Sequence, residues 1–237
     1  MVIDSSNEGQ ERVTAILCSG GLDSAVLVAH EATMGIVQPV YIQCGFAWEP
    51  FEQEALRRLL EAPAFTERVR PIAVLDNPIG NIYPNTHWAL RGIPPGYNTP
   101  DADVYLIGRN VLLLSKIGVY CALHCIQRIA MGPLKGNPFP DATPNFFESM
   151  GNTLSLGLDY QIDIIAPFAS LNKAEVIERG IALSLPLELT LSCMHPDRFS
   201  HCGHCSKCRE RLQAFKKAGL RDPANYAFRP KDIMTGH

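Results

Sequence analysis

The chain has 237 residues, 46% apolar and 19% charged, enough apolar material for a buried core and too much for a disordered or collagen-like protein. Its 21 basic and 24 acidic residues leave a formal net charge of −3, which argues against a nucleic-acid or acidic-membrane binder. No apolar run approaches the roughly 18 residues of a membrane helix, and Met1 to Arg12 is polar with no signal-peptide core, so a cytoplasmic protein is expected.

In chain order, Val13 to Cys18 reads as a short apolar strand, followed by a glycine turn at Ser19 to Ser24 and a helix from Ala25 to about Met34. Val37 to Gln43 predicts a second strand. Pro50 to Glu61 predicts a helix on which Glu49, Glu52, Glu54, Arg57 and Arg58 mark a solvated face, and Pro71 to Leu75 a third strand. This alternation predicts an α/β fold with a parallel sheet and crossover helices. Asp76 to Tyr105 is rich in Pro, Gly, Asn and Tyr, and a loop of that length often covers an active site.

Arg109 to Ala122 then predicts an apolar helix, Cys125 to Met131 a strand, Asn145 to about Leu156 a helix, Asp163 to Ala166 a last strand and Ser170 to Arg179 a short helix. Near Leu187 a cysteine-rich segment breaks the rhythm. The expected organisation is a flexible tail over 1–11, an α/β domain over 12–186 and a cysteine-rich segment over 187–237.

Two features carry chemistry. The adjacent glycines of Ser19-Gly20-Gly21-Leu22-Asp23-Ser24, between a strand and a helix, let backbone N–H groups approach an anion at the positive end of the helix dipole. The same residues also suit a plain glycine turn, with Asp23 either capping the helix or orienting a metal on a polyphosphate. The familiar Gly-x-x-x-x-Gly-Lys and Gly-x-Gly-x-x-Gly fingerprints are absent from the sequence.

The second feature is Cys193, Cys202, Cys205 and Cys208, four thiols within sixteen residues, which predict a structural zinc site. An iron–sulfur cluster, or a mixed set that includes His201 or His204, is the alternative. Cys18, Cys44, Cys121 and Cys125 are expected to be buried apolar residues, the last two on one helix face.

The Ser19–Ser24 loop resembles the SGGxDS loop of the PP-loop ATP pyrophosphatases. With the C-terminal cysteines, it makes the chain similar to the 7-cyano-7-deazaguanine synthase family of queuosine biosynthesis. Gly108-Arg109-Asn110 resembles that family's GRN motif, and Phe139-Pro140-Asp141 stands where the family has Tyr-Pro-Asp. Lys173-Ala174-Glu175 resembles its Lys-x-Glu, and Asp222-Pro223-x-x-Tyr226 is also similar.

The resemblance implies a five-stranded parallel sheet of the adenine nucleotide alpha hydrolase-like type with a small C-terminal zinc-binding subdomain. It implies an enzyme that adenylates the carboxylate of 7-carboxy-7-deazaguanine with ATP and aminates it with ammonia. The amide is then activated by a second ATP and dehydrated to the nitrile. Ser19, Gly20, Gly21, Leu22, Asp23 and Ser24 would bind ATP with Mg2+. Asp23, Ser24, Arg109 and Lys173 would serve catalysis, Arg109, Asn110 and Asp141 would bind substrate, and a homodimer is implied.

Two of these residues also have a plainer reading: Arg109 would simply start a helix beside an acid, and Asp141 would shape a turn. Lys173 is unfavourable to the helix dipole in a first turn, which favours a functional role for it. Ala142 and Thr143 replace the Cys-Arg usual in the family, and His87 and Trp88 either reshape the cleft or anchor a loop. Lys135 is a further candidate without an assigned role. The competing readings are a relative acting on another deazapurine, on tRNA through Arg209, Arg211, Lys216, Lys217 and Arg221, or on another amide or carboxylate. A non-enzymatic ATP-sensing or zinc-stabilised partner protein is the third.

Overall fold

A computed structural model describes residues 11–65 and 67–230. The expected flexible tail lies outside these residues except for Glu11. The first half runs β1 (Val13–Leu17), α1 (Leu22–Ala32), β2 (Ile36–Gln43), α2 (Glu49–Leu60) and β3 (Ala73–Asp76). An irregular stretch holding the single turn α3 (Trp88–Arg91) leads to α4 (Arg109–Leu123), β4 (Arg128–Ala130), α5 (Pro144–Leu158) and β5 (Asp163–Ile165). The chain continues through α6 (Lys173–Ala182) and α7 (Ser206–Lys217).

All five strands are parallel, in the order β3-β2-β1-β4-β5. The chain builds outward from β1 to β3, then crosses back to place β4 on the other side of β1. That reversal is the topological switch point, where open α/β sheets form a ligand crevice beyond the carboxyl ends of the strands.

Alternating strand residues feed two cores, as a pleated strand buried on both faces requires. Ile16 joins one with Leu27 of α1, Leu56 and Leu59 of α2, Ile177 of α6 and Phe215 of α7. Ala15 joins the other with Leu114 and Ile117 of α4 and Phe147 of α5. The segment after Leu187 therefore shares the main core through α7, while its cysteines form a separate cluster with Ala55 and Leu191.

Several expectations change in detail. Gly21 is the N-cap of α1, so the helix starts at Leu22 and includes Asp23 in its first turn. β4 is shorter than expected because α4 runs to Leu123 and closes with Ile126 N–H donating to Cys121 O at 2.9 Å. Cys125 falls in that closing turn, at φ 55°, and is exposed, so its expected burial is wrong, while Cys18, Cys44 and Cys121 are buried. Thr143 caps α5 by accepting the Phe146 N–H at 3.2 Å, ahead of Pro144 at the first helical position.

Candidate active site and metal centre

The loop after β1 is pinned from two sides. Gly20 adopts φ 72°, and a Cβ there would press within 3.2 Å of Leu56 on α2. Its carbonyl accepts the Leu191 N–H at 2.9 Å, so the cysteine-rich segment grips the glycine loop directly. Gly21 offers α1 no side-chain cap. The loop instead closes on itself by long bonds: Gly21 N–H to Ser19 Oγ at 3.4 Å and Ser19 N–H to Ser24 Oγ at 3.3 Å. Ser24 Oγ in turn donates to Gly21 O at 3.0 Å. An uncapped helix start with such weakly satisfied donors is suited to an anion.

Asp23 lies in the first turn of α1. Its Oδ2 accepts from Lys173 Nζ at 3.0 Å, while its Oδ1 is buried with no partner among the described residues. Lys173 also meets Glu210 of α7 at 2.5 Å, and Glu210 meets Lys207 at 2.7 Å. Burial opposes the Lys173 charge, but Asp23 and Glu210 outweigh it and hold the ammonium above the ordinary lysine range. Glu210 is held well below the carboxylate range, against its own burial, by Lys173 and Lys207. An unfavourable first-turn lysine is thus a three-way tie between α1, α6 and α7.

Arg109 opens α4, reaches over the Phe46 ring at 5.7 Å, and has a buried Nε without a partner among the described residues. Asp141 is buried. Its Oδ2 accepts the Asn110 N–H at 3.0 Å, and Asn110 Nδ2 donates back to Asp141 O at 2.8 Å. The turn chemistry expected of Asp141 is therefore a cap on the start of α4, supplied from a distant loop. Ser19, Gly21, Leu22, Asp23, Ser24, Arg109, Asn110, Asp141 and Lys173 all face one cavity of about 340 Å³ at the switch point, and Ala142 faces it too. Gly20 packs behind the loop, and Lys135 is exposed outside the cavity.

Of the aromatic cavity residues, Trp88 and Phe139 were singled out from sequence, whereas Phe46 and Tyr105 were not. Phe46, Trp48 and Trp88 stack in succession at 4.8 and 5.6 Å, and Tyr105 stacks on Phe139 at 5.1 Å, giving the cleft flat aromatic walls. His87 anchors its loop by accepting the Ala89 N–H at 3.2 Å and stacking on Tyr83. The expected solvated face of α2 is wrong at two positions. Glu49 is buried and accepts the N–H groups of Cys44 at 2.7 Å and Gly45 at 2.8 Å. Glu52 turns into the cavity, where burial raises its carboxyl to about 7 against the pull of Arg109.

The four cysteine sulfurs lie within 4.8 Å of one another, and all four side chains are buried. Cys193 to Cys205 is 4.0 Å, Cys202 to Cys208 is 3.8 Å and Cys205 to Cys208 is 3.5 Å. A tetrahedral ion with sulfur ligands at about 2.3 Å holds them about 3.8 Å apart. A cubane cluster, with one thiolate on each iron, would spread them farther. Backbone N–H groups of His195, Cys202, Gly203 and His204 point at the sulfurs.

Neither histidine belongs to the set. His201 accepts the Ser192 N–H on Nε2 and is pushed down to about 3, first by burial and then by Arg211, while His204 is exposed. Gly203 has φ 82°, and a Cβ there would overlap the Phe228 carbonyl. Gly203→Ala is therefore expected to cost more than about 1 kcal/mol from its left-handed backbone alone, read as a lower melting temperature.

Arg209 and Arg211 do not form the basic face considered from sequence. Arg209 donates to Tyr97 O and Thr99 O and pairs with Asp101, tying the long loop down onto α7. Arg211 is fully buried against Asp222. Such internal commitments leave Lys216, Lys217 and Arg221 exposed at the far end of the helix. No helix among the described residues is long and apolar enough to cross a membrane.

Residues 13–219 match the family described as queuosine biosynthesis protein QueC. The 7-cyano-7-deazaguanine synthase of Methanopyrus kandleri is 29% identical over 239 residues, covering 90% of this chain and 98% of that protein. The protein of the same name from Methanobrevibacter smithii is 31% identical over 220 residues, covering 88% and 95%. Among solved structures, the U34-tRNA thiolase NcsA from Methanococcus maripaludis superposes with a TM-score of 0.50 at 12% identity, over 87% of this chain and 67% of that one, a likeness of fold.

Proposed function

The chain belongs to the family described as queuosine biosynthesis protein QueC, and from that footing we propose that it is an ATP-dependent, AMP-forming carbon–nitrogen ligase. It would convert 7-carboxy-7-deazaguanine and ammonia into 7-cyano-7-deazaguanine. ATP transfers AMP to the carboxylate and releases pyrophosphate, and ammonia displaces AMP to give the amide. A second ATP activates the amide oxygen, and loss of AMP leaves the nitrile.

The observation that carries this reading is one cavity in which an uncapped glycine loop faces the Arg109–Asn110–Asp141 wall. Phosphates at the loop would replace the long Ser19 and Ser24 bonds to backbone N–H groups with charge-assisted ones. Lys173 and Arg109 would offset charge on the departing pyrophosphate and on the acyl-phosphate oxygen. Asp141 keeps one oxygen on Asn110. Its other oxygen would accept from the guanine-like edge while the aromatic walls sandwich the ring.

The orphaned Asp23 Oδ1 fits a Mg2+ ion carried in with ATP, which would neutralise phosphate charge. The four thiolates fit a structural zinc, which would order the segment that holds Gly20 and Lys173. Incubation with ATP, ammonia and 7-carboxy-7-deazaguanine is expected to yield AMP, pyrophosphate, and the amide followed by the nitrile in mass analysis. Absence of both products would overturn the reading. Asp23→Ala is expected to lower pyrophosphate release about 100-fold, because it removes a phosphate-site ligand and frees Lys173 from its orienting partner.

A further inference from the structure

Two carboxyl groups of α2 line the cavity; both oxygens of Glu49 are committed to backbone N–H groups, whereas Glu52 has no role in the scheme above. Its backbone carbonyl packs against Gly20, where a Cβ would meet it at 3.3 Å, so the residue stands beside the glycine loop. Its Oε2 accepts the Tyr41 hydroxyl at 3.1 Å from the end of β2, and Trp48 supplies a further side-chain bond. Across the cavity it feels the charge of Arg109. The carboxyl group therefore lines the cavity that the loop proposed for phosphate and the wall proposed for the acceptor share. The carbon that exchanges AMP for nitrogen must lie in the same cavity.

Resting on that reading of the site, we propose that Glu52 accepts the proton released when ammonia attacks the adenylated carbonyl, with Tyr41 as its positioning residue. Ammonia adds through its lone pair to the carbonyl carbon, giving a centre with an alkoxide oxygen and an ammonium nitrogen. One N–H bond breaks towards Glu52 and its electron pair returns to nitrogen. The alkoxide re-forms the C=O bond, and AMP leaves with the electrons of the broken C–O bond. Primary amide, AMP and protonated Glu52 result, and Glu52 returns its proton to water. Without a base, expulsion of ammonia competes with expulsion of AMP.

The groups around Glu52 suit this task. Facing it are Cys18 at the end of β1, Tyr41 and Cys44 at the end of β2, Glu49 of α2 and Arg109 of α4. Burial pushes Cys18 and Cys44 to about 11 and Tyr41 above the tyrosine range, so none of these three changes charge near neutrality. Glu52, raised to about 7, does change there, so a large fraction of it is a base of useful strength at neutral pH. Glu49 contrasts with it, because both of its oxygens are committed to backbone N–H groups.

The test compares two nucleophiles on the full-length, metal-loaded protein. Hydroxylamine forms a hydroxamate from the same adenylate, and its conjugate acid is far more acidic than ammonium, so water suffices to take its proton. Glu52→Gln is expected to lower the ratio of amide formed from ammonia to hydroxamate formed from hydroxylamine about 100-fold. A fall in correctly folded protein lowers both products and leaves the ratio alone.

For the unmutated protein, the amide rate per free ammonia should rise through pH about 7. Tyr41→Phe should move that rise to higher pH, because the lost O–H donor had favoured the charged carboxylate. An unchanged product ratio in Glu52→Gln overturns the proposal while the functional reading stands. Failure of the unmutated protein to make either product overturns both.

Discussion

Removing metal from the four-cysteine site is expected to unfold the cysteine-bearing stretch 191–208 and to abolish ATP-dependent pyrophosphate release in the same titration. Structural zinc in comparable small sites contributes about 10–16 kcal/mol to folding. Little else holds this segment's own cluster, which consists of the four cysteines with Ala55 and Leu191, flanked by Phe51 and Tyr226. The loss reaches the active site by two routes. Leu191 N–H holds Gly20 O at 2.9 Å, and Glu210 holds Lys173, which holds Asp23. Arg209 adds a third connection by tying the long loop to α7. Chelator titration followed by hydrogen exchange, metal analysis and pyrophosphate release checks this, and Cys205→Ser should reproduce it. A protein shown to be free of metal that keeps both its protection and its activity would refute the coupling.

Replacing Arg211 with Met is expected to cost about 3–5 kcal/mol, because it strands a buried carboxylate without its partner. Arg211 Nε and Nη2 reach Asp222 at 2.8 and 3.1 Å, and its other donors take Thr190 Oγ1 at 2.7 Å and Leu187 O at 2.9 Å. Asp222 also accepts from the Tyr226 hydroxyl at 2.6 Å and the Ala224 N–H at 3.0 Å. Urea unfolding at neutral pH measures the loss. Arg211→Met combined with Asp222→Leu should lose less than Arg211→Met alone, since no unpaired charge then remains buried.

The pH dependence follows from the same site. Although burial alone would raise it, Arg211 holds the Asp222 carboxyl below its usual range. Its contribution is therefore complete above about pH 4 and disappears as pH falls through the lowered folded value. His201, held neutral by burial down to about 3, acts over a higher window. As pH drops below about 6.5, the unfolded chain takes up a proton that the folded chain refuses, and stability falls until pH reaches about 3. Together these groups predict an acid-labile C-terminal segment: unfolding midpoints in urea fall from about pH 6.5 to pH 4 through His201, and fall further below about pH 4 as Asp222 is protonated.

Much of the fold could be read locally. The parallel sheet followed from short apolar runs separated by amphipathic helices, and the glycine loop was recognisable because Gly20 and Gly21 are adjacent between a strand and a helix. The thiolate cluster needed only the spacing of Cys202, Cys205 and Cys208. Charged residues were harder to place. Glu49, Glu52 and Glu54 recur on one amphipathic helix, yet they lie respectively under the β2 turn, in the cavity, and on the surface beside Arg57. Arg211 looked like a neighbour of Lys216 and Lys217 and is instead the centre of a buried network.

Alone, the sequence determined the features set within about sixteen residues: strand and helix alternation, a glycine turn between a strand and a helix, and a set of four thiols that could hold a metal ion. Backbone propensity, glycine conformation and ligand spacing are local properties, so local patterns reveal them. Only the tertiary structure decided which polar groups face the cleft and which are consumed in holding it. Asp141 reaches Asn110 across 31 positions and Lys173 reaches Asp23 across 150, by way of the reversal at the switch point. A side chain's charge and proton affinity depend on such neighbours. For that reason Glu52 became a candidate base only after folding set it beside Tyr41 and Arg109.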